Sequence, residues 1–501
     1  MSARTRAVRR EARAAHRYER AYQRRGLGPL RSPLVLGLAV LVLGLAAGVA
    51  AERTTWLLAL AAAALGAGVV AAIVRWPRLG PALFWLAYGL QSTVFFGFSV
   101  TGLYYPVYLL MGVNVLVALA LGRLEVHTRL LWYVAFLAVV LLGLLPLTAP
   151  PDFAGYQRLF IYVMGFLVFF QFPTRTVPGL LMKVQVVTML VVASWVVVSS
   201  IQGGFGYRGN VNVDQNDVSF LIGFGLVPLV AELMARRLKL ALAALCWAAI
   251  GYGVYAILLL ASRGMSIAIL VASVAMFGRI LFTRRRSITI LVAALLAGAV
   301  LFSLPGSDSL FVRFNASDVT TANDRIPLWH ATLTAFESAN VRQIFLGQGF
   351  ESSMQLIRRV SAILTSTHNA YLEIGYEFGL LGLMAFLGIH LSLLSRFWRD
   401  DSPTALYGAG TVIFLLMADL TLTAPDRFLY WVAIGYLLAL SVNRDKVEAG
   451  EAPPPEGELG PEPEGPLPEP VAARPVPSAG RRRPGAADGL PAGAERGPSP
   501  A

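Results

Sequence analysis

The chain is predicted to be an all-α polytopic integral membrane protein, with about 14 transmembrane helices and a helical extracytoplasmic cap. Three observations lead there. Hydrophobic residues make up 56% of the chain and charged residues 14%, with a mean hydropathy of +0.62. A soluble core of this length cannot hide that much apolar surface, whereas a bilayer accepts it. Apolar runs recur from Pro33 to near residue 443, and the basic residues fall in every second link between them. The 47 glycines suit close packing of membrane helices.

Taken in order, residues 1–32 form a basic arm, with Arg4, Arg6, Arg9, Arg10, Arg13, Arg17, Arg20, Arg24, Arg25 and Arg31 against Glu11 and Glu19. A positive segment beside a span stays cytoplasmic and can rest on anionic lipid. Residues 47–50 (Ala-Gly-Val-Ala) faintly resemble a cleavage site, but the long basic region and the many following spans favour a retained signal anchor. An N-terminal membrane block, 33–200, is expected to contain spans near 33–50, 55–74, 81–98, 104–121, 130–148, 159–172 and 179–200. A second block, 201–304, adds spans near 217–235, 240–261, 264–282 and 287–304. The loop 305–370 separates these from a C-terminal block, 371–443, with spans near 371–395, 404–421 and 429–443. The tail 444–501, rich in Pro, Glu and Gly with few bulky apolar residues, has no core to build and is expected to be disordered.

The links sort by charge. One set holds Arg75/Arg78, Arg123/Arg129, Arg175, Arg236/Arg237/Lys239, Arg284/Arg285/Arg286 and Arg396/Arg399; the other holds Glu52, Asp152, Asp214, Asp308, Asp318 and Asp324. The positive-inside rule then puts both termini in the cytoplasm, and loop 201–216, turn 262–264 and loop 305–370 on the outer face. The net charge of +13 thus follows topology rather than nucleic-acid binding. Cys246, the only cysteine, permits no intrachain disulfide and no cysteine-based metal site.

The loop 305–370 is too long for a structureless connector, and loops of that kind are usually functional. Asp324 is placed to cap a short helix whose first turn accepts Pro327, with apolar residues at Trp329, Leu333 and Phe336. Gly347-Gln348-Gly349 breaks the chain, and a second helix is expected over 352–364. The loop ends at Thr367-His368-Asn369, at the mouth of a span, where a histidine can titrate near neutral pH.

Arg325-Ile-Pro-Leu-Trp329, Gly347-Gln-Gly349-Phe350 and His368-Asn369-x9-Gly379-x-x-Gly382 resemble the signature of the O-antigen ligase and polymerase superfamily. Gln215-Asn216-Asp217 at a span opening and Ser262-Arg263-Gly264 at a helix end agree with it; the resemblance covers roughly residues 200–440. It implies a GT-C-like, inverting, metal-independent glycosyltransferase without a cofactor, in the bacterial inner (plasma) membrane. The implied donor is a glycan on undecaprenyl diphosphate at the outer leaflet, the acceptor a glycan or glycolipid, with polysaccharide-assembly proteins as possible partners and no nucleic acid. Arg263 and Arg325 would bind the diphosphate by paired hydrogen bonds and stabilise charge as it departs. His368 would be general base to the attacking hydroxyl, and Asn216, Asn369 and Tyr371 would orient substrate. The ligase branch tends to place leucine four residues after the loop arginine; here Trp329 stands there and Leu328 is third, which leaves ligase and polymerase both open.

Each residue also has a structural reading. His368 can be a cap, Arg325 can pair with Asp324, Arg263 can be an interfacial anchor and Asn216 a helix cap. Glu373 and Glu377, one turn apart at the start of a span, can be functional or can pair with an arginine. His127, His330 and His390 are taken as structural. A transporter or lipid-linked glycan flippase is the main alternative, but it would be expected to show internal repeats and mid-span charges. A cell-wall polymerase of the shape-and-division type would lack the His-Asn-x9-Gly-x-x-Gly pattern.

Overall fold

A computed structural model describes residues 79–91, 104–122, 127–144, 153–172, 179–202, 215–281 apart from residue 237, 303–305, 325–360, 367–399 and 402–448, with a few isolated positions before residue 79. The basic arm, the first expected span, most of the spans near 55–74 and 287–304, most of loop 201–216 and the Pro-rich tail lie outside them.

All regular structure among the described residues is helical. In chain order the helices are α1 (Leu79–Gln91), α2 (Tyr104–Ala120), α3 (Leu131–Leu142), α4 (Phe153–Gln171), α5 (Leu180–Gln202), α6 (Gln215–Ala235) and α7 (Leu240–Leu260). They continue with α8 (Arg263–Leu281), α9 (Arg325–Glu337), α10 (Val341–Leu346), α11 (Ser352–Val360), α12 (Ala370–Phe397), α13 (Pro403–Ala418) and α14 (Phe428–Glu448). Five are long and apolar enough to cross a bilayer: α5, α6, α7, α8 and α12. Shorter apolar helices include parts of α1, α2, α3, α13 and α14. The all-helical class stands, while the described residues do not establish the count of about 14 spans.

Burial follows each helix's apolar pattern. In α6 every residue from Val218 to Leu229 is buried, so this helix is apolar all round and lies inside the bundle. On α7, by contrast, Leu240, Leu242 and Leu245 are exposed, as suits a lipid-facing side. α4 and α14 cross where small residues permit it: a Cβ on Gly435 would come within 2.3 Å of the Gly165 carbonyl oxygen. Beside this crossing, the Trp431 ring packs against Tyr133, Phe136, Tyr162 and Tyr430 at centroid distances of 5.3–5.7 Å. Aromatic packing therefore joins α3, α4 and α14 below the cap.

The cap contains three helices where the sequence suggested two. Pro327 sits in the first turn of α9 as expected; Asp324, the expected cap, lies outside the described residues. α10 is closed at its start by a capping box, with Asn340 Oδ1 accepting from the Gln343 N–H and Gln343 Oε1 from the Asn340 N–H. α11 is described to Val360; residues 361–364 of the expected helix lie outside the described residues.

α12 is two half-helices meeting at Gly379, whose backbone is non-helical (φ 64°, ψ −166°). The break leaves carbonyls that an intact helix would satisfy. The Gly347–Phe350 turn supplies their donors: the Gln348 N–H reaches Tyr376 O at 2.9 Å and the Gly349 N–H reaches Glu377 O at 3.0 Å. The two chains touch backbone to backbone. A Cβ on Gly347 would lie 2.1 Å from Glu377 O, and one on Gly379 would lie 2.4 Å from the Phe345 carbonyl carbon. The spacing of Gly347, Gly349 and Gly379 in the sequence is thus a docking requirement of the cap on α12.

Candidate active site at the mouth of the broken helix

The segment between α13 and α14, residues 419–427, is the hub of the candidate site. The Asp419 carbonyl accepts the Ala370 N–H at 2.8 Å and so holds the start of α12. The Thr421 carbonyl accepts Nη1 of Arg325 at 2.6 Å. Its side chain also packs on Gly264, where a Cβ would lie 2.3 Å from Thr421 Oγ1. The first turn of α8, with Arg263, and the guanidinium of Arg325 therefore converge on one threonine. Arg427 donates from Nε to Asp217 Oδ1 at 2.7 Å and ties the hub to the start of α6.

His368 occupies the left-handed region at φ 50°, uncommon for a residue with a side chain and of a kind that clusters at functional sites. Its neighbours hold it there. The Thr367 hydroxyl donates to Asn369 O at 2.9 Å and accepts the Asn369 N–H at 3.2 Å. The Trp329 indole N–H donates to Thr367 O at 2.9 Å, linking α9 to this segment. Asn369 caps α12 by accepting the Leu372 N–H at 3.1 Å. Thr367, Asn369 and Ala370 are buried, and His368 alone in this run is partly exposed. Trp329 thus has a structural task at the position where Leu was expected, while Leu328 lies on the buried side of α9.

The remaining predicted residues hold the same frame. Asn216 Oδ1 accepts from the Ser262 hydroxyl at 2.9 Å, joining the two motifs at the starts of α6 and α8. Tyr371 donates its hydroxyl to Leu416 O at 2.7 Å, towards α13. Arg263 and Arg325 are each partly exposed.

Below this mouth lies a buried ionic cluster. Arg158 of α4 bonds Glu377 through Nη1 at 2.8 and 2.9 Å, Glu373 through Nη2 at 2.5 Å and Asp426 through Nε at 2.7 Å. The guanidinium lies over the rings of Tyr162 and Phe350, 5.6 and 5.5 Å from their centroids. Ser353 of α11 donates to Glu377, and Thr423 donates to Glu373 at 3.1 Å. One arginine therefore fastens α4, both buried carboxylates of α12 and the hub, while the first turn of α11 joins through Ser353. Glu373 and Glu377 have the arginine partner that their structural reading required. Deeper still, Asp419 Oδ2 accepts from the Tyr430 hydroxyl at 2.9 Å, and His390 Nε2 lies 2.6 Å from the Tyr430 hydroxyl oxygen.

Reasoning from sequence missed the hub, Arg158 and α10. Signals existed: Arg158 and Asp426 are ionisable residues at the ends of predicted spans, and Asn340-x-x-Gln343 is a capping-box pattern.

Fold and site together define a polytopic helical membrane protein whose arginines and histidine gather at one helix mouth under a small cap. Comparison with known proteins narrows this. The O-antigen ligase family model matches residues 244–387, which hold α8, the cap and the first part of α12. The O-antigen ligase of Pseudomonas aeruginosa is 27% identical over 108 residues, covering 20% of this chain and 27% of that protein. The match thus spans about a quarter of that relative. Together the two findings support the O-antigen ligase family.

Proposed function

We propose that this protein is a membrane glycosyltransferase that moves a glycan from an undecaprenyl-diphosphate-linked donor at the outer leaflet to a glycan or glycolipid acceptor, as an O-antigen ligase or polysaccharide polymerase. The observation that carries the reading is the convergence on residues 419–427 of the Arg325 guanidinium, the turn before α8 and the segment bearing His368.

The chemistry follows from the residue types. A departing lipid diphosphate concentrates negative charge, and a guanidinium offers five donors in a fixed fork that matches phosphate oxygens. Arg263 and Arg325 bind the diphosphate and offset the charge that grows as the glycosidic bond breaks. His368 takes the proton of the attacking hydroxyl, a role typically worth about 10²–10⁴-fold in rate. Attack from the face opposite the leaving group inverts the anomeric centre, and no metal is required when two guanidinium groups neutralise the diphosphate. Asn216, Asn369 and Tyr371 serve the substrate by holding the segments that carry Arg263 and His368.

The test is transfer by purified, reconstituted variants. His368→Ala and Arg325→Ala should each lose transfer, with abundance and thermal stability close to wild type. Wild-type transfer by either variant would remove that residue from the mechanism. Loss of transfer accompanied by loss of the folded protein would instead assign it to the frame.

A further inference from the structure

The short helix α10 turns an apolar face outwards. Val341 is 72% exposed, Ile344 41% and Phe345 45%, and their i, i+3, i+4 spacing places them on one side of the helix. Its polar residues are used elsewhere: Gln343 closes the capping box and also donates to Gln348 Oε1 at 2.8 Å. Arg342 is exposed and long enough to lift its charge away from an apolar surface.

The depth of α10 follows from what it touches. It runs straight into the Gly347 turn, and its Phe345 backbone abuts Gly379 at the break in α12. Below that break α12 runs without interruption to its C-cap at Trp398, followed by exposed Arg399, a pairing typical of a membrane–water boundary. The 19 residue steps from Gly379 to Trp398 rise roughly 28 Å, and a hydrocarbon layer is about 30 Å thick. Gly379 therefore sits at the opposite boundary of that layer. Next to it Leu380, Leu381 and Met384 of α12 are 43%, 38% and 45% exposed, as on a helix facing lipid. The apolar face of α10 continues that surface.

We propose that α10 is an interfacial membrane helix, its Val341–Ile344–Phe345 face seated in the acyl chains of the leaflet at which α12 begins. The outer segment is then not a purely aqueous loop. Its middle is anchored in lipid, and the anchor fixes the cap at headgroup depth, where the diphosphate of the proposed donor lies. That last consequence rests on the functional reading above; the placement of α10 does not.

The test needs no activity. A spin label is placed on Ile344→Cys in a Cys246→Ala background, and the full chain is reconstituted in phosphatidylcholine vesicles. Collision with oxygen and with a water-soluble nickel chelate is then compared. Leu391→Cys on the exposed face of α12 serves as lipid reference, and Glu337→Cys on α9 as aqueous reference. Oxygen should dominate at residue 344, at a depth of about 5–10 Å below the phosphates. Dominance of the nickel chelate, as at residue 337, would overturn the proposal. So would protection from both, which would mean that a protein surface or a second copy covers α10. Val341→Cys gives the same readout should the label at 344 prevent folding.

Discussion

Replacing Gly379 by alanine separates a docked cap from a merely adjacent one. At φ 64° and ψ −166° the backbone lies in a region that only glycine visits readily, and a side chain there costs about 1–3 kcal/mol. The new Cβ would also stand 2.4 Å from the Phe345 carbonyl carbon and 2.5 Å from Gly347 N, both backbone atoms that cannot swing aside. The cheapest relief is for the Gly347–Phe350 turn to lift off and for α12 to close through residue 379. That forfeits the hydrogen bonds from Gln348 and Gly349, each worth about 0.5–1.5 kcal/mol net. Those bonds oppose lifting equally in the wild type, so the docked state should lose the strain alone, about 1–3 kcal/mol relative to the lifted one. Hydrogen exchange of the peptides covering 341–360 is the assay. At about 1.4 kcal/mol per decade, protection should fall by roughly fivefold to a hundredfold. Gly375→Ala is the control, because a Cβ there meets the Phe336 side chain at 3.5 Å and that of Leu383 at 3.9 Å, both ordinary contacts. Wild-type protection in Gly379→Ala, or equal loss in Gly375→Ala, would refute the interlock.

Arg158→Leu should lower stability by about 3–5 kcal/mol, because it leaves Glu373 and Glu377 buried without their cation. Arg158→Lys should recover only part of this, since one ammonium cannot span three carboxylates; full recovery in denaturant titrations would reduce the cluster to a simple charge requirement. Glycan transfer by the reconstituted protein should continue in excess chelator, because the proposed mechanism meets the charge of the diphosphate with Arg263 and Arg325. Loss of transfer that magnesium or manganese restores would show the proposed diphosphate site to be incomplete.

What the sequence revealed and what it hid divide along a physical line. Apolar runs of helical length announce membrane helices, because lipid rewards the average hydropathy of a segment rather than any one residue. The motifs were visible for a related reason. Gly379, Gly347 and His368 sit in backbone conformations or contacts that few residue types tolerate, so the chemistry of the type exposes the constraint. The hub at 419–427 carries no such mark. It holds the Arg325 guanidinium and the start of α12 through the carbonyls of Thr421 and Asp419, which any residue could supply, so no side-chain pattern points to those two bonds. Arg158 was hidden differently. Its partners lie 215 to 268 residues further along the chain, and only folding brings α4 against α12 and the hub. The six residues of α10 are too few for periodicity to register, although their capping box was legible. The candidate residues were thus visible as types. The frame that aims them is made of main-chain groups and long-range pairs, and it emerges only when the helices pack. A substitution in that frame, at Thr421 or Arg158, should therefore reach the site through the position of Arg325 or α12 rather than through any contact of its own with substrate.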